Sequence, residues 1–278
     1  MTHFELHTGD CIDVLRTIPA GSVDSIVTSP PYAMQRGSTY GGVPEADYPE
    51  WTVAWMEEAR RVLTDDGSAI INIRPHFKNG QISDYVLRTR LALREAGWAE
   101  LEELIWDKKS GAPWGSIYRP RRSWESLLWF GKHGRAFCDP KAAGPKMKGA
   151  ASRMGGGRAA RNGWTHLKDQ PPPDKVRTGG VARVPDIARI PLSHHGGADR
   201  PHGDHPAPFP WQLAEWCGKL ITPPGGTILD PFTGSSSTGV AAIKNGWHFI
   251  GIDQSQEYID MSRKRLESEQ DKLGMPAS

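Results

Sequence analysis

The stretch "TILDPFTGSSSTG", Thr227 to Gly239, constrains the fold more than any other, because an apolar strand runs into a turn of small residues that opens a helix. It is followed by "FIGID", whose last residue, Asp253, lies 19 positions beyond Gly234. A glycine turn at the carboxyl end of a strand, with an acid closing the next strand about 20 residues on, is how Rossmann-like sheets hold a nucleoside. Small side chains let the backbone approach the ligand, and the carboxylate accepts from both ribose hydroxyls. The loop also excludes ligands. A phosphate-binding P-loop needs Lys and then Ser or Thr after its last glycine, where this chain has Val240 and Ala241. A dinucleotide fingerprint needs a middle glycine that "GSSSTG" lacks. The turn therefore fits an adenosine without phosphate better than NAD or ATP. Asp230, just ahead of it, would repel a phosphate and could pair with an ammonium group, and S-adenosylmethionine answers to both conditions.

A second strand ends strangely. In "DSIVTSPPYAMQR", Asp24 to Thr28 is extended and apolar, yet it runs into Ser29, Pro30, Pro31 and Tyr32. Two prolines remove two N–H groups and fix φ near -65°, so neither a helix nor a central ladder can continue. What remains is a stiff turn rich in acceptors. The amino group of a nucleobase is a poor nucleophile, because its lone pair is delocalised into the ring. Gripping both amino hydrogens, on Ser29 Oγ and the Pro30 carbonyl, would free that lone pair for a sulfonium methyl. Pro31 would hold the turn and Tyr32 would offer a face for the base. Positioning and charge stabilisation would carry the rate without a covalent intermediate.

Around these motifs the chain alternates helix and strand. Helices are expected at Cys11 to Ile18, about Glu50 to Leu63 and about Ile82 to Ala96, and strands at "SAIINI", "AELEELIW" and "ESLLWFG", with "TDDG" a turn. A helix from "PWQLAEWCGKLI" precedes the glycine strand, and a last helix carries Tyr258, Met261 and Leu266. The alternation predicts an α/β fold with a largely parallel sheet and helices on its faces. The expected organisation is a catalytic half (1–136), a target-recognition insertion (137–205), a cofactor-binding half (206–268) and a frayed tail (269–278).

The middle segment differs in composition. Between Lys141 and His205 there are 12 Lys and Arg against 5 Asp and Glu, in a chain whose net charge is only +2. A basic, Gly- and Pro-rich block points to a polyanion, here double-stranded DNA. With "RPRRSW", it makes Arg119, Arg121 and Arg122 candidate phosphate contacts, and Arg161 with Trp164 a candidate readout segment; Arg36 follows the Pro-Pro-Tyr turn. His194, His195, His202 and His205 lie in this block without paired cysteines, so no metal site is expected. Cys11, Cys138 and Cys217 form no CxxC pair and read as free thiols in a reducing compartment. No run of about 18 apolar residues suggests a membrane span, and a cytoplasmic protein is expected.

"TSPPY" and "DPFTGSSSTG" resemble the catalytic and cofactor motifs of the DNA amino-methyltransferases, which make N4-methylcytosine or N6-methyladenine. The catalytic motif comes first, as in the circularly permuted β group of that family. The resemblance implies a Rossmann-like S-adenosylmethionine-dependent methyltransferase fold, with a mostly parallel seven-stranded sheet and an irregular DNA-recognition insertion. It implies catalysis by Ser29, Pro30, Pro31 and Tyr32. It also implies a cofactor site made by Asp10, which holds the cofactor's adenine amine, with Phe209, Asp230, Pro231, Phe232, Thr233, Gly234, Ser235 and Asp253. "SPPYAMQRGSTYG", "AELEELIWDKK" and "RRSWESLLWFGK" look most like the N4-cytosine members, since adenine-specific members more often carry Asp or Asn in place of Ser29. Where the family has a second loop glycine, this chain has Ser236. The implied enzyme is bacterial or phage-encoded, takes part in restriction-modification by DNA methylation with base flipping, and works as a monomer or homodimer. Adenine N6 is the alternative target. A Rossmann-type oxidoreductase and a DNA-binding protein without catalysis are more distant ones, and a C5-cytosine enzyme is disfavoured because no cysteine follows a proline.

Overall fold

The computed structural model describes residues 3–34, 42–109, 118–144, 182–192 and 209–274. Its first half consists of β1 (Phe4–Thr8), α1 (Cys11–Thr17), β2 (Val23–Thr28), α2 (Tyr48–Val62), β3 (Leu63–Ile73), the hairpin β4 (Phe77–Lys78) and β5 (Gln81–Ile82), and α3 (Tyr85–Glu95). Then come β6 (Ala99–Asp107), β7 (Trp124–Gly131), β8 (Ile187–Arg189), α4 (Trp211–Ile221), β9 (Thr227–Asp230), α5 (Ser237–Asn245), β10 (His248–Asp253) and α6 (Gln256–Lys272).

The main sheet has the order β1-β10-β9-β2-β3-β7-β6-β8. Pairing is parallel from β1 through β3, and β7 runs antiparallel to both β3 and β6. Five of the six β2 residues are buried, as expected of a parallel strand covered on both faces. On one face α1, α2 and α3 pack Leu15, Trp55, Met56 and Tyr85 against the sheet. On the other, α4, α5 and α6 contribute Leu213, Cys217, Val240, Ala241 and Leu266. Gly239 permits the close seat of α5, since a Cβ there would meet the Phe249 ring at 2.7 Å.

Four expectations change. The main sheet has eight strands, not seven. The eighth, β8, comes from the segment read as irregular and pairs in parallel with β6. It covers a row of N–H and C=O groups that β6 would otherwise leave open, with Ala188 buried. Three residues are too short to show a period. β1, five residues long and half polar, is a strand that the sequence does not announce. "TDDG" is no free turn, because β3 runs from Leu63 across it with an irregularity opposite Val23 and Ser25. Finally, α6 continues past 268 to Lys272, held by buried Gln270 and by Lys244, whose Nζ lies 3.0 Å from Glu269.

From β2 the chain moves to β3 on one side, and from β9 it moves to β10 on the other. The neighbouring carboxyl ends of β2 and β9 therefore form a topological switch point, where open α/β sheets bind ligands.

Candidate active site

A cleft opens at these strand ends. Gly9, Asp10 and Cys11 line it after β1, Pro31 after β2, Pro231 and Phe232 after β9, and Asp253 with Gln254 after β10. Val43 and Trp51 complete it. Asp253 ends β10, and its two oxygens accept from the Gly234 N–H at 3.0 Å and the Ser255 N–H at 2.9 Å. It thus ties the glycine turn to the next strand. Gly234 and Ser236 both have left-handed backbones, with φ of 49° and 57°. The family's glycine at the second position is explained by that conformation, which costs an L-residue about 1–2 kcal/mol. Ser236 offsets the cost with a 2.9 Å hydroxyl contact to Thr233 and a 2.7 Å bond from its N–H to the Thr233 carbonyl.

Asp10 has two jobs on one carboxylate. One oxygen caps α1 by accepting from the Ile12 N–H at 2.9 Å, and the other accepts from Gln254 Nε2 at 3.0 Å. Phe232 makes an aromatic wall with Trp51, at 5.5 Å, and with Trp55, edge-on at 5.3 Å. Two carboxylates across from an aromatic wall, at a turn where the backbone is bare, suit an adenosine: acceptors for amine and ribose hydroxyls, and an apolar side for the base.

Asp230 is placed differently from its reading as an ammonium partner. It is buried, accepts from Thr28 Oγ1 at 2.6 Å, the Phe232 N–H at 3.1 Å and Thr238 Oγ1 at 2.8 Å, and is not part of the cleft lining. It bolts β9 to β2 and α5. Burial pushes its carboxyl up from 3.8 to about 6, against those hydrogen bonds. The native state then binds more protons than the unfolded chain between those values, so this group's charge costs stability as pH rises from about 4 to 6. Asp230→Asn is expected to raise Tm by about 5 °C at pH 8. The gain should shrink toward pH 5; an equal or negative shift at both pH values would contradict the buried-charge account. Thr233 and Ser235 are likewise buried supports, the Ser235 carbonyl accepting from Arg265 at 2.6 Å. Phe209 packs into the second core and not into the cleft.

At the end of β2, Ser29 and Tyr32 are half-buried, Pro30 is buried and Pro31 joins the cleft. The Tyr32 hydroxyl donates to Glu125 Oε2 at 2.8 Å and lies 3.3 Å from Asn72 Oδ1. Glu125, buried at the start of β7, also accepts from Asn72 Nδ2 at 2.9 Å and from Lys108 Nζ at 2.5 Å, with Arg74 Nε at 3.5 Å. Burial, reinforced by the Glu125 charge and hydrogen bond, holds the Tyr32 phenol well above the usual range, with the Ser29 side chain acting the other way. Burial pulls Lys108 down while Glu125 opposes it. Asn72, Lys108 and Glu125 are site residues that the structure adds to those expected from the sequence. Lys108 follows the charged β6 and has no signal, whereas Asn72 and Glu125 carry one, each being a polar residue in an otherwise apolar strand segment. Trp51 had one too, standing one helical turn before Trp55.

Arg119 and Arg122 sit over the Phe77 ring, each 4.2 Å from its centroid, and donate to the carbonyls of Gly80, in the β4–β5 turn, and of Pro75, just ahead of β4. Arg121 is exposed. Arg36, Arg161, Trp164, His194, His195, His202 and His205 lie outside the described residues. Among the described residues no group of acids, histidines and cysteines could hold a metal, and no helix is long and apolar enough to cross a membrane.

Comparison with known proteins identifies the family and the fold. The DNA methylase family N6_N4_Mtase matches residues 23–264. The Type II methyltransferase M.Cfr9I of Citrobacter freundii is 29% identical over 300 residues, which cover 95% of this chain and 88% of that protein. Among solved structures, the PvuII DNA methyltransferase (cytosine-N4-specific) superposes with a TM-score of 0.72 at 22% identity, over 99% of this chain and 92% of its own. The M1.HpyAVI–SAM complex does so with a TM-score of 0.58 at 18% identity, over 95% and 100%. With a family match across most of its length, the chain belongs to the DNA methylase family, the S-adenosylmethionine-dependent enzymes that methylate exocyclic amines of DNA bases.

Proposed function

We propose that the target is N4 of cytosine within a specific double-stranded DNA sequence, and that the Ser29-Pro30-Pro31-Tyr32 turn carries out the transfer. One observation carries the assignment of the turn: Pro31 lines the same cleft as Asp10, Phe232 and Asp253, so acceptors for an amine stand beside a site suited to adenosine. When bound, S-adenosylmethionine supplies a methyl group on a sulfonium. Asp253 would accept from its ribose hydroxyls, Asp10 would accept from its adenine amine, and Phe232 with Trp51 would flank the base. Ser29 Oγ and the Pro30 carbonyl accept from the target amine, which turns its lone pair toward the methyl. Tyr32 supports the flipped base, whose extrusion from the duplex costs a few kcal/mol. Arg119, Arg121 and Arg122, with Arg36, Arg161 and Trp164, make the DNA face.

Serine in the first position of the turn favours cytosine over adenine, where Asp or Asn is more usual. A monomer or homodimer acting on DNA in a bacterial cytoplasm completes the reading. DNA from cells expressing the protein should yield N4-methylcytosine on nucleoside digestion and mass spectrometry, and modification-detecting sequencing should place it in one recurring context. N6-methyladenine would reassign the base, and DNA without either would refute the activity.

A further inference from the structure

We propose that Glu125 is a positioning residue for methyl transfer, acting through Tyr32: its carboxylate fixes the far end of the Tyr32 ring, and so sets the plane on which the target base stacks. The inference rests on the proposed role of the Ser-Pro-Pro-Tyr turn.

A tyrosine ring anchored only at its Cα can still swing about its side-chain torsions. Here the near end leaves a turn stiffened by two prolines, and the far end donates to Glu125 at 2.8 Å. Fixing both ends leaves the ring one orientation. Glu125 is itself immobile, because Asn72 of β3, at 2.9 Å, and Lys108 just beyond β6, at 2.5 Å, bind it from the two strands that flank β7. The sheet thus transmits its rigidity through one carboxylate to the catalytic turn.

The energetics favour a functional origin. A buried ion pair is often no more stabilising than apolar residues of the same volume, because desolvation takes back the attraction. Glu125 and Lys108 have side-chain exposures of only 7% and 8%, so both charges are largely removed from water. What an apolar pair could not supply is the nearer of the two acceptors of the Tyr32 hydroxyl, Glu125 at 2.8 Å against Asn72 Oδ1 at 3.3 Å.

Single-turnover methyl transfer separates this role from a structural one. Tyr32→Phe, which keeps the ring and removes the bond, should slow transfer about tenfold. Lys108→Met with Glu125→Leu, an apolar pair without the acceptor, should be slowed to a similar degree. Lys108→Met with Glu125→Gln, whose amide oxygen can still accept, should recover most of the loss. Adding Tyr32→Phe to the apolar pair should slow it by much less than tenfold, because the Glu125 bond is already gone and only the longer contact to Asn72 is left to lose. Transfer by Tyr32→Phe at the wild-type rate would overturn the proposal, as would multiplication of the two effects in the triple variant or failure of the Gln pair to recover at wild-type Tm. Tyr32→Phe leaves the buried pair intact, so it decides the matter even where the pair variants fold poorly. A wild-type protein that methylates no DNA refutes the proposed function instead, before any variant is compared.

Discussion

Tyr32→Ala should lower the rate of methyl transfer by about 100-fold or more, with S-adenosylmethionine affinity close to that of the wild type. Two losses combine. The target base loses an aromatic face, and stacking of a base on such a ring is worth about 1–3 kcal/mol. The base then samples orientations in which its amine misses Ser29 Oγ and the Pro30 carbonyl, and a misplacement of about 1 Å can cost a further 100-fold. The cofactor cleft should change little, since Pro31 lines it and Tyr32 does not. Stability should fall as well, because Glu125 keeps its buried charge and loses one donor, at about 1–3 kcal/mol. Rate constants should therefore be compared under conditions where both proteins are folded. Full activity of the alanine variant would move the base to another surface.

Asp253→Ala should weaken S-adenosylmethionine binding by about 100-fold, measured by titration calorimetry. The proposed bonds to two ribose hydroxyls are charge-assisted, which accounts for a loss of about 3 kcal/mol. The same carboxylate orders the protein side of the site by binding the Gly234 and Ser255 N–H groups. Removing it frees the glycine turn and orphans two donors, so the turn must be ordered again at the expense of binding. Asp253→Asn, which keeps an acceptor, should fall between the two proteins. An alanine variant with unchanged affinity would place the ribose elsewhere.

The contrast between Asp253 and Asp230 shows how far sequence reading reaches. Both are acids at strand ends beside the glycine turn, and from the sequence both read as ligand contacts. The position of Asp253 at the end of β10, beside a bare backbone, follows from its spacing, and it lines the cleft. Asp230 has the same chemistry one strand away, yet Thr28 and Thr238 surround it. Thr28 lies 202 residues away in the chain, and no local pattern announces that neighbour.

Strand, tight turn and helix are local: small residues decide the turn, apolar runs decide buried strands, and two consecutive prolines decide a rigid exit. For these reasons the amino-acid order alone determines the α/β class, the adenosine-like turn with Asp253 behind it, and the stiff Ser-Pro-Pro-Tyr end of β2. Tertiary structure decided which strands pair, and with that everything built across strands. β8 exists only because β6 offers it an edge. Tyr32, Asn72, Lys108 and Glu125 become one network only because β2, β3, β7 and β6 lie side by side in the sheet. A buried polar residue must find its partner wherever the fold brings one, and in this network Tyr32 and Glu125 stand 93 residues apart.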